Sequence, residues 1–185
     1  MKVKEVILNA AALLGDKAEV ENFFKGTSTN AKEQVDMLLT CFNIVENELA
    51  LDYVPLITEE NFSIVSGKIP YSLLKQDVVR IVHVKGADGE YLPFRIFAQY
   101  LEVGEGRKEI TVQYAYTPKA KTIDQDSEFK SGASVRLMAY GVAAEYCVAM
   151  GMCTEAAIWD KKYKECIAAA RSVGRKDSMP SRRWV

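Results

Sequence analysis

The period of the hydrophobic pattern changes twice along this chain, which limits the fold more than any single motif does. From Val3 to about Tyr53, apolar residues recur every three or four positions, the spacing of one face of an α-helix. After Val54-Pro55 the recurrence drops to two, the spacing of a strand, and stays there to about Pro118. Beyond an acidic stretch the helical period returns and runs to Gly174. A helix and a strand bury different sets of positions. A chain that switches in this order must therefore place a β-rich segment between two helical ones.

Within the first region a helix runs from Val3 through Ile7 and Ala10 or Ala11 to Leu14, and Gly15 stops it. A short piece, Ala18–Phe24, ends at Lys25-Gly26. Thr27, Ser28 or Thr29 then caps a long helix over Asn30–Asp52, whose stripe is Val35, Leu38, Phe42, Val45 and Leu49. In the middle region Asp77–Lys85 is rich in β-branched residues, and Ala87-Asp88-Gly89 reads as a hairpin turn. Tyr91–Leu101 is the expected return strand, with Pro93 at its start, and Gly104-Glu105-Gly106 is a further turn. Ile110, Val112, Tyr114 and Tyr116 alternate with Thr111, Gln113 and Ala115, the clearest strand pattern in the chain. Asn61–Val65 and Lys68–Ile69 are candidate short strands. In the last region Val135, Met138, Ala139, Val142, Tyr146 and Ala149 share one helix face, ending near Gly151. Thr154 is the expected cap of a final helix with a stripe of Ile158, Lys162, Cys166 and Ala169 or Ala170. The expected class is α+β: a helical bundle with an inserted antiparallel β-domain and an extended C-terminal tail. Residues 1–53 and 119–173 form the two halves of the bundle, 54–118 the insertion and 174–185 the tail.

Several function classes lose their chemical basis at this level. The 24 Lys and Arg residues are balanced by 25 Asp and Glu, so bulk charge provides no cationic face for wrapping DNA. His83 is the single histidine and lies in a strand pattern, which leaves most acid–base and zinc chemistry without its usual group. Cys41, Cys147, Cys153 and Cys166 form no C-x-x-C pair and read as buried reduced thiols. Asp124, Asp126 and Glu128 alternate as in a calcium loop. Phe129 and Val135, however, stand where such a loop needs Gly and Glu, so the run reads as an acidic lead into the next helix N-terminus. Gly104-Glu105-Gly106-Arg107 lacks the spacing of a phosphate loop, and Glu145 lacks the partners of a di-iron site. No run of ~18 apolar residues is present for a membrane span. The basic start Met1-Lys2-Val3-Lys4 reads as a first helix and not a signal peptide, because Glu5 and Asn9 interrupt the apolar stretch. No catalytic residue, metal or cofactor is expected.

The C-terminal segment is different. Arg171, Arg175, Lys176, Arg182 and Arg183 concentrate positive charge, Pro180 prevents continued helix, and Trp184 is a large aromatic beside two arginines. Ten extended residues span roughly 30 Å, enough to reach a neighbouring subunit. Arg175, Lys176, Met179, Pro180, Arg182, Arg183 and Trp184 are the candidate partner-binding residues.

A series of short motifs carries a family likeness. Tyr114-Ala115-Tyr116-Thr117-Pro118 is followed by an acidic stretch ending Asp126-Ser127-Glu128-Phe129, then by Met138-Ala139-Tyr140-Gly141 with Ala144-Glu145-Tyr146. Glu155-Ala156 with Trp159 and Lys162-Tyr163 come next, and Pro180-Ser181-Arg182-Arg183-Trp184 last. This order resembles the head-to-tail connector proteins of tailed bacteriophages, also termed portal adaptors or tail gatekeepers. The likeness runs from Tyr114 to Trp184, while the earlier helices and the β-insertion match in layout. It implies a non-catalytic virion protein at the head–tail junction, made in the host bacterial cytoplasm. Copies would form a ring, commonly of twelve, with DNA passing through the lumen. The C-terminal segment would dock on the portal protein, and the other side would meet tail, tail-tube or nozzle proteins. A tail-completion or tail-terminator protein, or another non-enzymatic adaptor, is the alternative. A hydrolase or metal enzyme using His83 or the Asp124–Glu128 cluster is the third reading.

Overall fold

The computed structural model describes residues 1–63, 67–104 and 109–174. The fold is α+β, with a helical part interrupted in sequence by an antiparallel β part. Two compact units divide the chain: residues 1–45 with those from 121 onward, and Glu46–Ala120. The division thus falls inside the long helix, eight residues before the change of period at Val54.

In the helical unit, α1 is Val3–Leu14 and α2 is Lys17–Phe24. Gly15 ends α1 in the left-handed region at φ 91°, and the Asp16 N–H reaches back to the Ala11 carbonyl at 2.9 Å. α3, Lys32–Glu48, continues into a π-helical turn, Leu49–Tyr53, so the helical stretch expected to Asp52 ends on a wider coil. Ser28 accepts a bond from the Asn30 N–H at 3.2 Å just ahead of α3. All five residues of the expected α3 stripe, Val35, Leu38, Phe42, Val45 and Leu49, are buried.

α4 is Val135–Ala149, and Ser134 caps it by accepting from the Leu137 N–H at 3.1 Å. Sequence periodicity gave this helix one apolar face, but every residue from Leu137 to Ala144 is buried, as are Tyr146 and Cys147. A helix apolar around its whole circumference belongs at the centre of a bundle, where it meets a neighbour on each side. α5, Cys153–Gly174, packs along it. The buried stripe of α5 is Ala156, Tyr163 and Ile167, not the expected Ile158, Lys162 and Cys166; Ile158 is 51% exposed. The bulky Tyr163 and the half-buried Trp159 turn the helix away from the face that Ile158 would have chosen. Thr154 lies exposed within the first turn and is not a cap.

The acidic stretch does not lead into a helix N-terminus either. α4 begins seven residues beyond Glu128 and has no acid in its first turn. Instead the stretch is sewn to the start of the chain. Val3 N–H donates to the Gln125 carbonyl at 3.2 Å, Ser127 N–H to the Met1 carbonyl at 2.9 Å, and Lys2 and Asp126 form a β-bridge. Phe129 and Ser127 are buried beside it.

Among the described residues the β unit has two three-stranded antiparallel sheets, ordered β1-β6-β3 and β2-β5-β4. The strands are β1 Leu56–Ser63, β2 Lys68–Pro70, β3 Val78–Gly86, β4 Phe94–Ile96, β5 Tyr100–Val103 and β6 Glu109–Tyr116. The hairpin after β3 forms as expected, with Gly89 at φ 79° and its N–H on the Gly86 carbonyl at 3.0 Å. The single return strand over Tyr91–Leu101 does not form. Only Tyr91 and Leu92 pair back onto β3, and beyond Pro93 the chain crosses into the other sheet as β4 and β5. Proline lacks the N–H that would have continued the ladder. Ile69, Leu101 and Val103 from one sheet and Ile81, Val84, Ile110, Val112 and Tyr114 from the other share one core. Burial first, then its bond to the Glu60 carboxylate, raises the Tyr114 phenol to about 12.

Gly141 sets how closely the bundle can pack. A Cβ there would lie 2.7 Å from Val45 Cγ1 on α3 and 2.9 Å from Tyr163 Cε2 on α5, nearer than such atoms approach. Alanine would gain about 1 kcal/mol of helix propensity. It must also displace a β-branched side chain and a ring edge, an overpacking cost of about 1–3 kcal/mol. Gly141→Ala is therefore expected to lower stability by up to about 2 kcal/mol in denaturant titration. A higher midpoint would show that the helices can part freely.

Candidate interaction surfaces

The residues singled out from sequence for partner binding, Arg175, Lys176, Met179, Pro180, Arg182, Arg183 and Trp184, lie outside the described residues. Arg171, exposed in the last turn of α5, is the final cation with a described side chain. Glu105, Gly106 and Arg107, the core of the glycine turn, also lie outside.

His83 is exposed on β3, edge-on to Tyr91 with ring centroids 5.0 Å apart, and its ring makes no hydrogen bond among the described residues. Among the described residues no hydroxyl, thiol or carboxylate is hydrogen-bonded to this ring. The Asp124–Glu128 run is spent on local structure, since Glu128 forms an ion pair with Lys121. The Lys121 N–H donates in turn to Asn43 Oδ1 at 2.6 Å, while Asn43 Nδ2 donates to the Lys121 carbonyl at 3.2 Å. Among the described residues no group of three or more His, Cys, Asp or Glu side chains could hold a metal ion. No described helix is long and apolar enough to cross a membrane.

The four thiols separate into two kinds. Cys41 and Cys147 are buried as expected, but Cys166 is half-buried and Cys153 is exposed. Burial, with the Glu145 carboxylate adding to it, raises the Cys41 thiol to about 11. Burial and then Glu155 raise Cys147 as well.

Two cations and two rings, which sequence reasoning did not bring together, form a cluster on α4 and α5. The Tyr140 and Trp159 rings stack at 5.9 Å and 17°. Arg136 Nε donates to the Tyr140 hydroxyl at 2.9 Å, and its guanidinium carbon stands 5.3 Å from that ring centre. Lys162 Nζ lies 4.7 Å from the Trp159 centroid and 5.7 Å from that of Tyr140. The ring faces attract both cations. The signal was present as Arg136/Tyr140 at i,i+4 and Trp159/Lys162 at i,i+3, pairs that meet on a helix surface. In the β unit a groove of about 690 Å³ lies between β3 and the β4–β5 turn, where Val79, Ile96 and Phe97 leave apolar surface in solvent.

No protein-family model matches this chain, and no curated protein matches it.

Thiol titration of the folded protein at about pH 8 should modify Cys153 quickly and leave Cys41 and Cys147 intact until unfolding, because the thiolate is the reacting form. A folded-state pKa above the unfolded value contributes stability that is present below about pH 9 and is lost as pH rises towards 11. Equal reaction of all four thiols without denaturant would contradict this division.

Proposed function

We propose that the chain is a structural head-to-tail connector subunit of a tailed bacteriophage. Copies form a ring between the portal and the tail, and each docks on the portal protein through its C-terminal segment. The observation that carries this reading is the layout: a helical unit broken in sequence by an antiparallel β unit, followed by a basic segment that contains Arg182-Arg183-Trp184. The motif order of the family supports it. Met138 to Tyr146 falls on the buried central helix, and Trp159 to Tyr163 falls on the helix beside it. Such motifs act by holding a bundle together, and the proposed role asks for a rigid body with contact faces rather than for catalysis. In this reading the β unit with its apolar groove faces the tail or the outside of the ring, and DNA passes through the lumen.

A tail-completion or tail-terminator protein of the same particle is the second reading. It is favoured by the exposed Val79, Ile96 and Phe97 of the β unit, which offer a tail-side contact independent of the C-terminal segment.

Deleting Met179–Val185 separates the two. The truncated chain should keep the circular dichroism and melting of the full chain and lose binding to the portal protein. Truncating a buried interface tryptophan typically costs ~2 kcal/mol or more, so Trp184→Ala should weaken portal binding by well over tenfold. Undiminished portal binding by the truncated chain counts against docking through this segment. Binding to tail-tube protein but not to portal favours the second reading.

A further inference from the structure

Both α3 and α5 carry a second stripe that their own bundle leaves in solvent. On α3 it is Glu33, Met37, Thr40 and Ile44, at spacings of four, three and four, with Asp36 on its flank; Met37 is 38% and Ile44 48% exposed. On α5 it is Ile158 and Lys162, bordered by Trp159 and by Arg136 of α4. Each stripe has apolar side chains within a charged border, the composition of an interface patch and not of a solvated helix face. Glu33 and Asp36 edge the first stripe; Arg136 and Lys162 edge the second, with Glu155 and Glu165 further along the same face of α5. Among the described residues none of Glu33, Asp36, Arg136 and Lys162 has an ion-pair partner.

We infer that the α3 stripe of one copy docks on the α4–α5 cluster of the next, Glu33 and Asp36 facing Arg136 and Lys162, with Met37 and Ile44 against Ile158 and Trp159. The occupant is a second copy because one chain carries both halves of the charge match. The two patches lie on different helices, so the contact is heterologous. The growing assembly keeps one free patch of each kind, and growth continues until it closes. Arg136 is bonded to Tyr140, and both cations are held over rings, so less side-chain entropy is lost on docking. This inference rests on the ring proposed above and names the faces that build it.

Charge reversal tests it on the full chain, with mass read by sedimentation velocity or light scattering. Wild type should assemble at low salt and dissociate in about 1 M salt, where the screening length falls to ~3 Å. Glu33→Lys with Asp36→Lys, and separately Arg136→Glu with Lys162→Glu, should each reduce the mass to that of one chain. Lys162→Glu alone should act in the same direction, which guards against disturbance of Tyr140 by the Arg136 change. Mixing the two double variants should restore assembly, because the basic α3 of one meets the acidic α5 face of the other. A mixture that stays as single copies overturns the inference. If wild type assembles but the reversals leave its mass unchanged, these faces are wrong and the ring reading stands. If wild type stays single both alone and with the portal protein, the ring reading fails as well.

Discussion

The helical unit depends on α4. A helix with ten of its fifteen residues buried has almost no surface left to solvent, so it can exist only while other helices cover it. Gly141 lets Val45 of α3 and Tyr163 of α5 approach its backbone at distances that no larger residue allows. α3 comes from the first stretch of sequence and α5 from the last. The bundle therefore cannot form until the chain has passed through the whole β unit and returned, a long loop closure that the packed core must outweigh. The bonds joining Asn43 to Lys121, and Met1 and Val3 to the Gln125–Ser127 segment, fasten the two stretches together again.

The parts of this fold that were legible in the sequence are those where one local rule acts alone. Gly15 ends α1 because a left-handed turn is needed there, and the alternation of Ile110, Val112 and Tyr114 survives because β6 is the central strand of its sheet. Misreadings occur where two rules compete. Ile158 has helical spacing with Lys162 and Cys166, but Tyr163 and Ile167 win the buried face of α5 through size and fit. Tyr91–Leu101 has strand composition throughout, but Pro93 cannot donate to a ladder and sends the chain to a second sheet. The acidic run has the charge of a helix lead, but its backbone is taken by the N-terminal residues.

The surfaces follow the same division. An exposed patch carries no period that sets it apart from a buried one. Arg136, Tyr140, Trp159 and Lys162 become a cluster only when α4 and α5 lie together, and the α3 stripe is distinguishable from the buried one only when burial is known. The composition of the C-terminal segment, by contrast, can be read directly, since it requires no partner within the chain to be recognised as basic and aromatic.

The proposed role has one physical centre: the chain acts by being held between larger bodies and transforms no molecule. On that proposal, electron microscopy of particles of the phage that would encode it, with this chain labelled, is the most direct test. The account predicts label arranged as a closed ring between portal and tail, one C-terminal segment per copy lying on the portal. Particles that lack the label at that junction, or that carry it away from the portal, would contradict it.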